Sequence, residues 1–434
     1  MRYTIEGLSA FLKESVSAFH AVKAVCDRLE RAGYARLGEA EAWKIAPGGK
    51  YFVTRNQSSV IAFRVPESGL APATIAACHS DSPVFRVKPI AELESQGRYV
   101  QLNTERYGGM IMSTWLDRPL SVAGRALVRT ENGLESRLVN IDRDLLLIPN
   151  LAIHMNREVN EKCSFNAQVD MLPLYGPISA KDSFDARVAE AAGAKPEDVL
   201  GSDLFLYNRM QPSVWGPEDD YISAPRLDDL ECAYTALCAL LDAKAGERVQ
   251  MLCVFDNEEV GSGTRQGADS SFLEDVLARA ARALGADDEA LRACLASSFM
   301  ASADNAHALH PNHPEKADAR NRPVMNGGVV VKFSANQKYT TDGLSCAIFT
   351  EACRRAGAPF QYFTNRSDMI GGSTLGNISG AHVSISTVDV GLAQLAMHSS
   401  YETAGTRDAE SMVRALTALF EMPIQLEGDG RWRW

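Results

Sequence analysis

Residues 255–263 read Phe255-Asp256-Asn257-Glu258-Glu259-Val260-Gly261-Ser262-Gly263, two adjacent Glu side chains directly before a glycine-rich turn. They follow Val249-Gln250-Met251-Leu252-Cys253-Val254, an apolar run with the length of a buried strand. On extended backbone, neighbouring side chains point opposite ways. At a strand end they can diverge and still stay close. One Glu could then ligate a metal while the other reaches a water on that metal. In open α/β sheets, the edge where strands end is where ligands bind. Adjacent Glu pairs also occur as solvated faces and helix starts, so other residues must join this pair to make a site.

Four other features do. His79 and Asp81 form a His-x-Asp unit after the apolar run Ala73-Thr74-Ile75-Ala76-Ala77-Cys78. Imidazole is a good zinc ligand, and a carboxylate two residues on can hold its other nitrogen and set the tautomer. Alone, the pair equally describes a satisfied core histidine. Asp228-Asp229 stands just before a helical pattern, where Asp is commonly an N-cap. The alternative is a carboxylate bridging two metals about 3.5–4 Å apart. Asp304 lies in Ser302-Ala303-Asp304-Asn305-Ala306-His307-Ala308-Leu309-His310-Pro311-Asn312-His313. In that stretch His307 could contact substrate, while His310 and His313 read as structural or interfacial. His398, in Leu395-Ala396-Met397-His398-Ser399, follows an apolar run. Two His with three carboxylates suit zinc, manganese or cobalt. A further Glu that is not a ligand would serve as general base on a metal-bound water. Such an arrangement suits amide hydrolysis.

The elements that must position these residues alternate between strand and helix. Apolar residues at threes and fours predict one helix over Thr4–Ala32, ended by Gly33. Tyr51–Thr54 and Ser59–Phe63 read as a hairpin. From about Pro89 to Ser223 the character becomes β-rich, with strands at Tyr99–Leu102 and Ser121–Val128 and turn signals at Glu131-Asn132-Gly133 and 172–177. Alternation then resumes: a helix after Asp228, the strand before Glu258, a helix through Phe272 to Leu284, and a strand at Val329–Phe333. A helix over Leu344–Ala356, a strand at His382–Ser386 and a helix over Asp408–Phe420 follow. The expectation is an α/β fold, a mixed or parallel sheet between helices. Residues 1–90 and 224–434 would form the main domain, and 91–223 an inserted β-rich one.

At 434 residues the chain can bury a large core, and 46% hydrophobic with 23% charged residues is ordinary for a globular protein. A net charge of −11 without a long basic block argues against nucleic acid as the main partner. No stretch approaches ~18 uninterrupted apolar residues, so no membrane span is expected. The start, Met1-Arg2-Tyr3-Thr4-Ile5-Glu6, lacks the basic and apolar regions of a secretory signal. Nine scattered cysteines without a Cys-x-x-Cys pair read as small buried hydrophobes in a reducing, cytoplasmic compartment.

Order and context of these residues resemble one family, the aspartyl aminopeptidase and vacuolar aminopeptidase I family of dinuclear zinc exopeptidases, in its bacterial branch. The matching pieces are Cys78-His79-Ser80-Asp81-Ser82-Pro83, Leu151-Ala152-Ile153-His154, Pro225-Arg226-Leu227-Asp228-Asp229, Asp256-Asn257-Glu258-Glu259-Val260-Gly261-Ser262, Ser302-Ala303-Asp304-Asn305-Ala306-His307 and Gln394-Leu395-Ala396-Met397-His398-Ser399. The resemblance implies a zinc-exopeptidase fold with an inserted dimerisation domain. It implies two divalent ions, zinc with cobalt or manganese as alternatives: one on His79, Asp228 and Asp304, the other on Asp228, Glu259 and His398, with Asp228 bridging. Asp81 would orient His79, Glu258 would be the general base, and His307 would lie near the substrate. His154 would reach a neighbouring subunit's active site. The implied assembly is a tetrahedral dodecamer of dimers, and the implied substrates are peptides with a free N-terminus. Specificity stays open between acidic and neutral first residues. Lys332, in a strand pattern, could pair an acidic side chain, but the segment Asn365-Arg366-Ser367-Asp368-Met369-Ile370-Gly371-Gly372 departs from the eukaryotic pattern. A deacylase or carboxypeptidase of the same metal chemistry, or a scaffold with a vestigial site, are the competing readings.

Overall fold

A computed structural model describes residues 2–369 and 371–434; Met1 and Ile370 lie outside the described residues. The largest sheet has nine strands in the order Ala35–Arg36, Lys50–Arg55, Ser59–Arg64, Val249–Phe255, Ala73–His79, Phe299–Ala303, Ser386–Gly391, Val329–Phe333 and Phe360–Thr364. The four strands from Val249–Phe255 to Ser386–Gly391 are mutually parallel. The first three of these are buried along their whole length. Burial on both faces explains why their sequences are continuous apolar runs and do not alternate.

Helices cover both faces. One face packs against Ile5–Glu14, Ala18–Arg31, Leu227–Asp242, Gly343–Ala356 and Asp408–Glu421 around a core that includes Phe11, Leu237 and Leu416. The other packs against Phe272–Ala283, Asp288–Ala296 and Leu375–His382, around Phe63, Phe272 and Met300. A six-stranded sheet runs in the order Gly133–Asn140, Leu120–Thr130, Val199–Asn208, Val84–Ser95, Tyr99–Tyr107 and Leu174–Pro177. Its core is separate and holds Phe85, Trp115, Val122 and Leu206. A five-stranded sheet joins Ser213–Trp215, Tyr221–Ala224, Glu402–Gly405, Ala393–Leu395 and Ala306–His307. Among the described residues no helix is long and apolar enough to cross a membrane.

Three elements differ from the sequence reading. The stretch 172–177, read as a turn, holds the edge strand Leu174–Pro177, paired with Tyr99–Tyr107. The single helix expected over Thr4–Ala32 is two helices, because Ser15 turns its N–H back onto the Phe11 carbonyl and Ser17 is extended. The apolar periodicity runs through this break, since both helices bury the same side. The strand expected at His382–Ser386 lies later, at Ser386–Gly391, and His382 ends a helix. Both stretches set β-branched residues among polar ones. What selects the later one is its parallel register beside Phe299–Ala303, which places Val388 and Val390 in the core.

Candidate active site

Parallel pairing brings the reactive residues to one edge. Phe255 pairs with His79, so the Asp256–Glu259 turn leaves the sheet beside the His79 loop, and Asp304 follows the next strand at the same end. Asp228 and Asp229 come from the five-stranded sheet. Arg226 is left-handed (φ 61), and neither Asp228 (φ −79, ψ 110) nor Asp229 (φ −115, ψ 20) is helical, so the regular helix starts only after them. Their carboxylates thereby turn toward the sheet edge instead of capping the helix. His398, at φ 67, sits between two strands of the same five-stranded sheet.

The cluster has the shape of a metal site. Ligand atoms of His79, Asp228, Asp229 and Asp304 lie within 4.8 Å of one another, as do those of Asp228, Glu259 and His398, and of His79, Glu258 and Glu259. His79 Nε2 is 3.7 Å from Asp228 Oδ1 and 3.9 Å from Asp304 Oδ1. His398 Nε2 is 3.4 Å from Asp228 Oδ2 and 3.4 Å from Glu259 Oε2. These gaps are too long for N–H···O hydrogen bonds. They are close to the ~3.3 Å that separates two ligands of a tetrahedral ion bound at about 2.0–2.1 Å. Asp228 Oδ1 and Glu259 Oε1 are buried without a hydrogen-bond partner. Buried carboxylate oxygens left in that state are costly, and a cation between the two groups would satisfy them.

The electrostatics agree. Burial pushes Glu259 well above the usual carboxylate range, with the Asp228 charge adding to it, and pushes Glu258 up to about 8 against the pull of His79, with Asp304, Asp81 and Asp228 also raising it. Burial would raise Asp228 too, but His398 and His79 outweigh it and hold that carboxyl below its ordinary value. Desolvation opposes charge on His79 and His398; Asp229, Asp228 and Asp304 raise the first, and Asp228 the second. Too many carboxylates share this buried space for two imidazoles to balance. Bound cations would remove the imbalance.

Around the cluster stand groups that the motifs did not announce. Asp229 accepts the backbone N–H of His79 at 3.1 Å. Glu402 accepts the N–H of His398 at 2.7 Å and of Asp228 at 3.0 Å, tying two predicted ligands to one buried carboxylate. Gly109 accepts from His398 Nδ1 at 2.5 Å, and Tyr107 donates to Asp81 at 2.7 Å. Asp229 was legible as the neighbour of Asp228. Glu402, Gly109 and Tyr107 carry no sequence signal, because only tertiary contact gives them a task. Asp81 contacts His79 Nδ1 mainly through its backbone carbonyl (3.1 Å), with Oδ1 at 3.4 Å.

The residues assigned to substrate are placed differently from one another. His307 lines a cavity of about 430 Å³ beside the cluster, its ring edge-on to Phe363 with centroids 6.0 Å apart. Desolvation and then the Lys332 ammonium lower its pKa. His310 and His313 line the same cavity, with ring centroids 5.1 Å apart. Lys332 does not face it. Its ammonium is buried against the Asp304 carbonyl (2.8 Å), the Asp304 carboxylate (3.4 Å) and the Asn305 carbonyl (3.3 Å). A side chain so committed holds Asp304 in place and is not free to bind an acidic substrate. Lys332→Met should therefore lower stability by about 3 kcal/mol, since it leaves a buried carboxylate without its partner. A urea midpoint equal to wild type at unchanged slope would show the pair to be dispensable. His154 is exposed on the turn-rich stretch between Gly133–Asn140 and Leu174–Pro177, and among the described residues it joins none of the groups that could hold a metal.

The aminopeptidase I zinc metalloprotease (M18) family profile matches residues 11–420. The chain belongs to the M18 family. A probable M18 family aminopeptidase 2 from Clostridium acetobutylicum is 47% identical over 408 residues, covering 92% of this chain and 94% of the relative. One from Ectopseudomonas mendocina is 40% identical over 427 residues, covering 96% and 98%. Among solved structures, the Ape4 and Nbr1 complex matches with a TM-score of 0.92 at 34% identity, over 96% of this chain and 85% of that one. The mApe1 dodecamer of S. cerevisiae matches with a TM-score of 0.83 at 26% identity, over 96% and 95%. The α/β architecture and the assignment as an M18 aminopeptidase, an enzyme of a zinc metalloprotease family, stand on these matches together. The deacylase, carboxypeptidase and vestigial readings are not favoured.

Proposed function

We propose that this M18 aminopeptidase removes the first residue of peptides with a free N-terminus, using two divalent metal ions and Glu258 as general base. The observation that carries this reading is the pair of ligand groups meeting at Asp228, with Glu258 at their edge. His79, Asp228 and Asp304 would hold one ion, and Asp228, Glu259 and His398 the other. Zinc suits imidazole and carboxylate donors, as do cobalt and manganese. When bound, the ions supply Lewis-acid polarisation of the scissile carbonyl and a water acidic enough to attack at neutral pH. Glu258 would accept a proton from the attacking water and return it to the leaving amine. Asp81 holds the backbone of the Glu258-Glu259 turn, Lys332 holds Asp304, and Glu402 holds His398 and Asp228.

The side chain of the first residue would enter the cavity beside His307. Phe363, Leu395 and Met397 offer apolar wall, and Lys316, Arg322 and an Arg366 paired with Asp368 line the same space with Asp318, an excess of positive charge. That charge admits acidic and neutral side chains and disfavours basic ones. Residues 1–90 with 224–434 would form the catalytic unit and 91–223 the oligomerisation unit. By analogy with the dodecamer of its yeast neighbour, the chain would assemble as a dodecamer in the cytoplasm, with His154 reaching a neighbour's site.

Aminoacyl chromogenic substrates carrying Asp, Glu, Leu, Met or Lys test the reading before chelation, after it, and after zinc, cobalt or manganese is restored. Activity should vanish with chelator, return with metal, and be absent on N-acetylated substrates. Lys substrates should be at least about tenfold poorer in kcat/KM than the best neutral or acidic one, as like charge at a recognition site costs about 1.4 kcal/mol or more. Cleavage of N-acetylated substrates at comparable rates would restore the deacylase reading.

A further inference from the structure

The end of the Tyr99–Tyr107 strand leaves the six-stranded sheet and runs across the cluster. Tyr107 donates its hydroxyl to Asp81 Oδ2 at 2.7 Å, and its oxygen accepts from Asn257 Nδ2 at 2.8 Å. With Asn257 occupying the oxygen, the single hydroxyl proton is aimed at Asp81. Gly108, at φ +78, lies so close that a Cβ there would stand 3.1 Å from Glu259 Cβ. The Gly109 carbonyl accepts from His398 Nδ1, and the Ile111 N–H donates to the His398 carbonyl at 3.0 Å. One strap from the second sheet thus touches both halves of the centre.

Asp81 is the point where its first contact acts. It is buried, and its two oxygens accept the backbone N–H groups of Glu258 and Glu259, each at 3.2 Å. We propose that Tyr107 is a positioning residue for the general base: its hydroxyl fixes the Asp81 carboxylate, and that carboxylate fixes the turn carrying Glu258. This rests on the reading of Glu258 as base. The action is selective. His79 Nδ1 is met by the Asp81 backbone carbonyl at 3.1 Å, which does not depend on the carboxylate's orientation. His398 is held by Gly109 and Glu402, which Tyr107 does not touch. Loss of the hydroxyl should therefore loosen the turn that carries Glu258, and Glu259 with it, while leaving His79, Asp228, Asp304 and His398 in place.

Tyr107→Phe in the full-length protein tests this. Losing a hydrogen bond to a buried charged group that orders a general base should lower kcat about tenfold, with KM within about twofold of wild type, as expected when only a transition-state interaction is lost. Affinity of the metal-stripped protein for its first zinc, the one held without Glu259, measured by chelator competition, should stay within about threefold, well short of the tenfold or more that loss of a ligand's own hydrogen-bond partner costs. Phe205→Leu is the packing control, because the Phe205 ring stacks edge-on to Tyr107 with centroids 5.8 Å apart and carries no hydrogen-bonding side-chain atom; its kcat should match wild type. The proposal is overturned if Tyr107→Phe keeps wild-type kcat, if its zinc affinity falls as far as its kcat, or if Phe205→Leu loses the same activity. Failure of the underlying reading is distinct: Glu258→Gln would then turn over normally.

Discussion

Glu258→Gln should lower kcat by about 10²–10⁴, the usual contribution of a positioned general base, with KM and metal content near wild type. The reasons are local. Glu258 is within reach of His79 and Glu259 but belongs to neither proposed ligand set meeting at Asp228. Its backbone N–H, the group that anchors the turn on Asp81, survives the substitution. Gln has the shape of Glu and cannot accept the proton. Metal analysis beside steady-state kinetics checks the prediction. Normal turnover would remove Glu258 from the role of base, and a variant that had also lost its metal would make it a ligand.

Asp228→Asn should have an effect of comparable size through a different cause. Asp228 faces both imidazoles, 3.7 Å from His79 Nε2 and 3.4 Å from His398 Nε2. A single neutral amide in its place removes the charge that both proposed ions would share. Metal content should fall below that of wild type, and activity should fall by about 10³ or more, because both the Lewis acid and the activated water are lost. Stability supplies a second readout. Free zinc at about 1,000 times its Kd stabilises a folded protein by about 4 kcal/mol through linkage. The melting temperature of the wild type should rise with zinc after chelator treatment, and that of Asp228→Asn should be nearly flat. A variant that still rose with zinc as the wild type does would show that Asp228 is not shared.

Five of the groups that meet at the sheet edge, His79, Asp228, Glu258 with Glu259, Asp304 and His398, were visible in the chain as reactive side chains at the ends of apolar runs or before a helix. That visibility has a physical basis. Strands buried on both faces must be continuously apolar, so a carboxylate or imidazole at such a run's end stands out, and parallel pairing carries those ends to one edge. The same logic fails for Lys332. A strand pattern with one lysine suggests a functional cation, but whether it faces substrate or a neighbouring carboxylate depends on which loop packs above it, and here Asp304 does.

Residue order alone therefore determined the α/β class and the membership in a metallopeptidase family, and it set apart the side chains that meet at the sheet edge, because each depends on local patterning and on motifs a few residues long. The tertiary structure decided the rest. It broke the first helix at Ser15–Ser17, moved the late strand to Ser386–Gly391, turned Lys332 inward onto Asp304, and brought Tyr107, Gly109 and Glu402 to the centre. These depend on contacts between segments up to hundreds of positions apart, such as Gly109 with His398. No periodicity or motif encodes such a contact. It exists only once two sheets and the loops between them have packed.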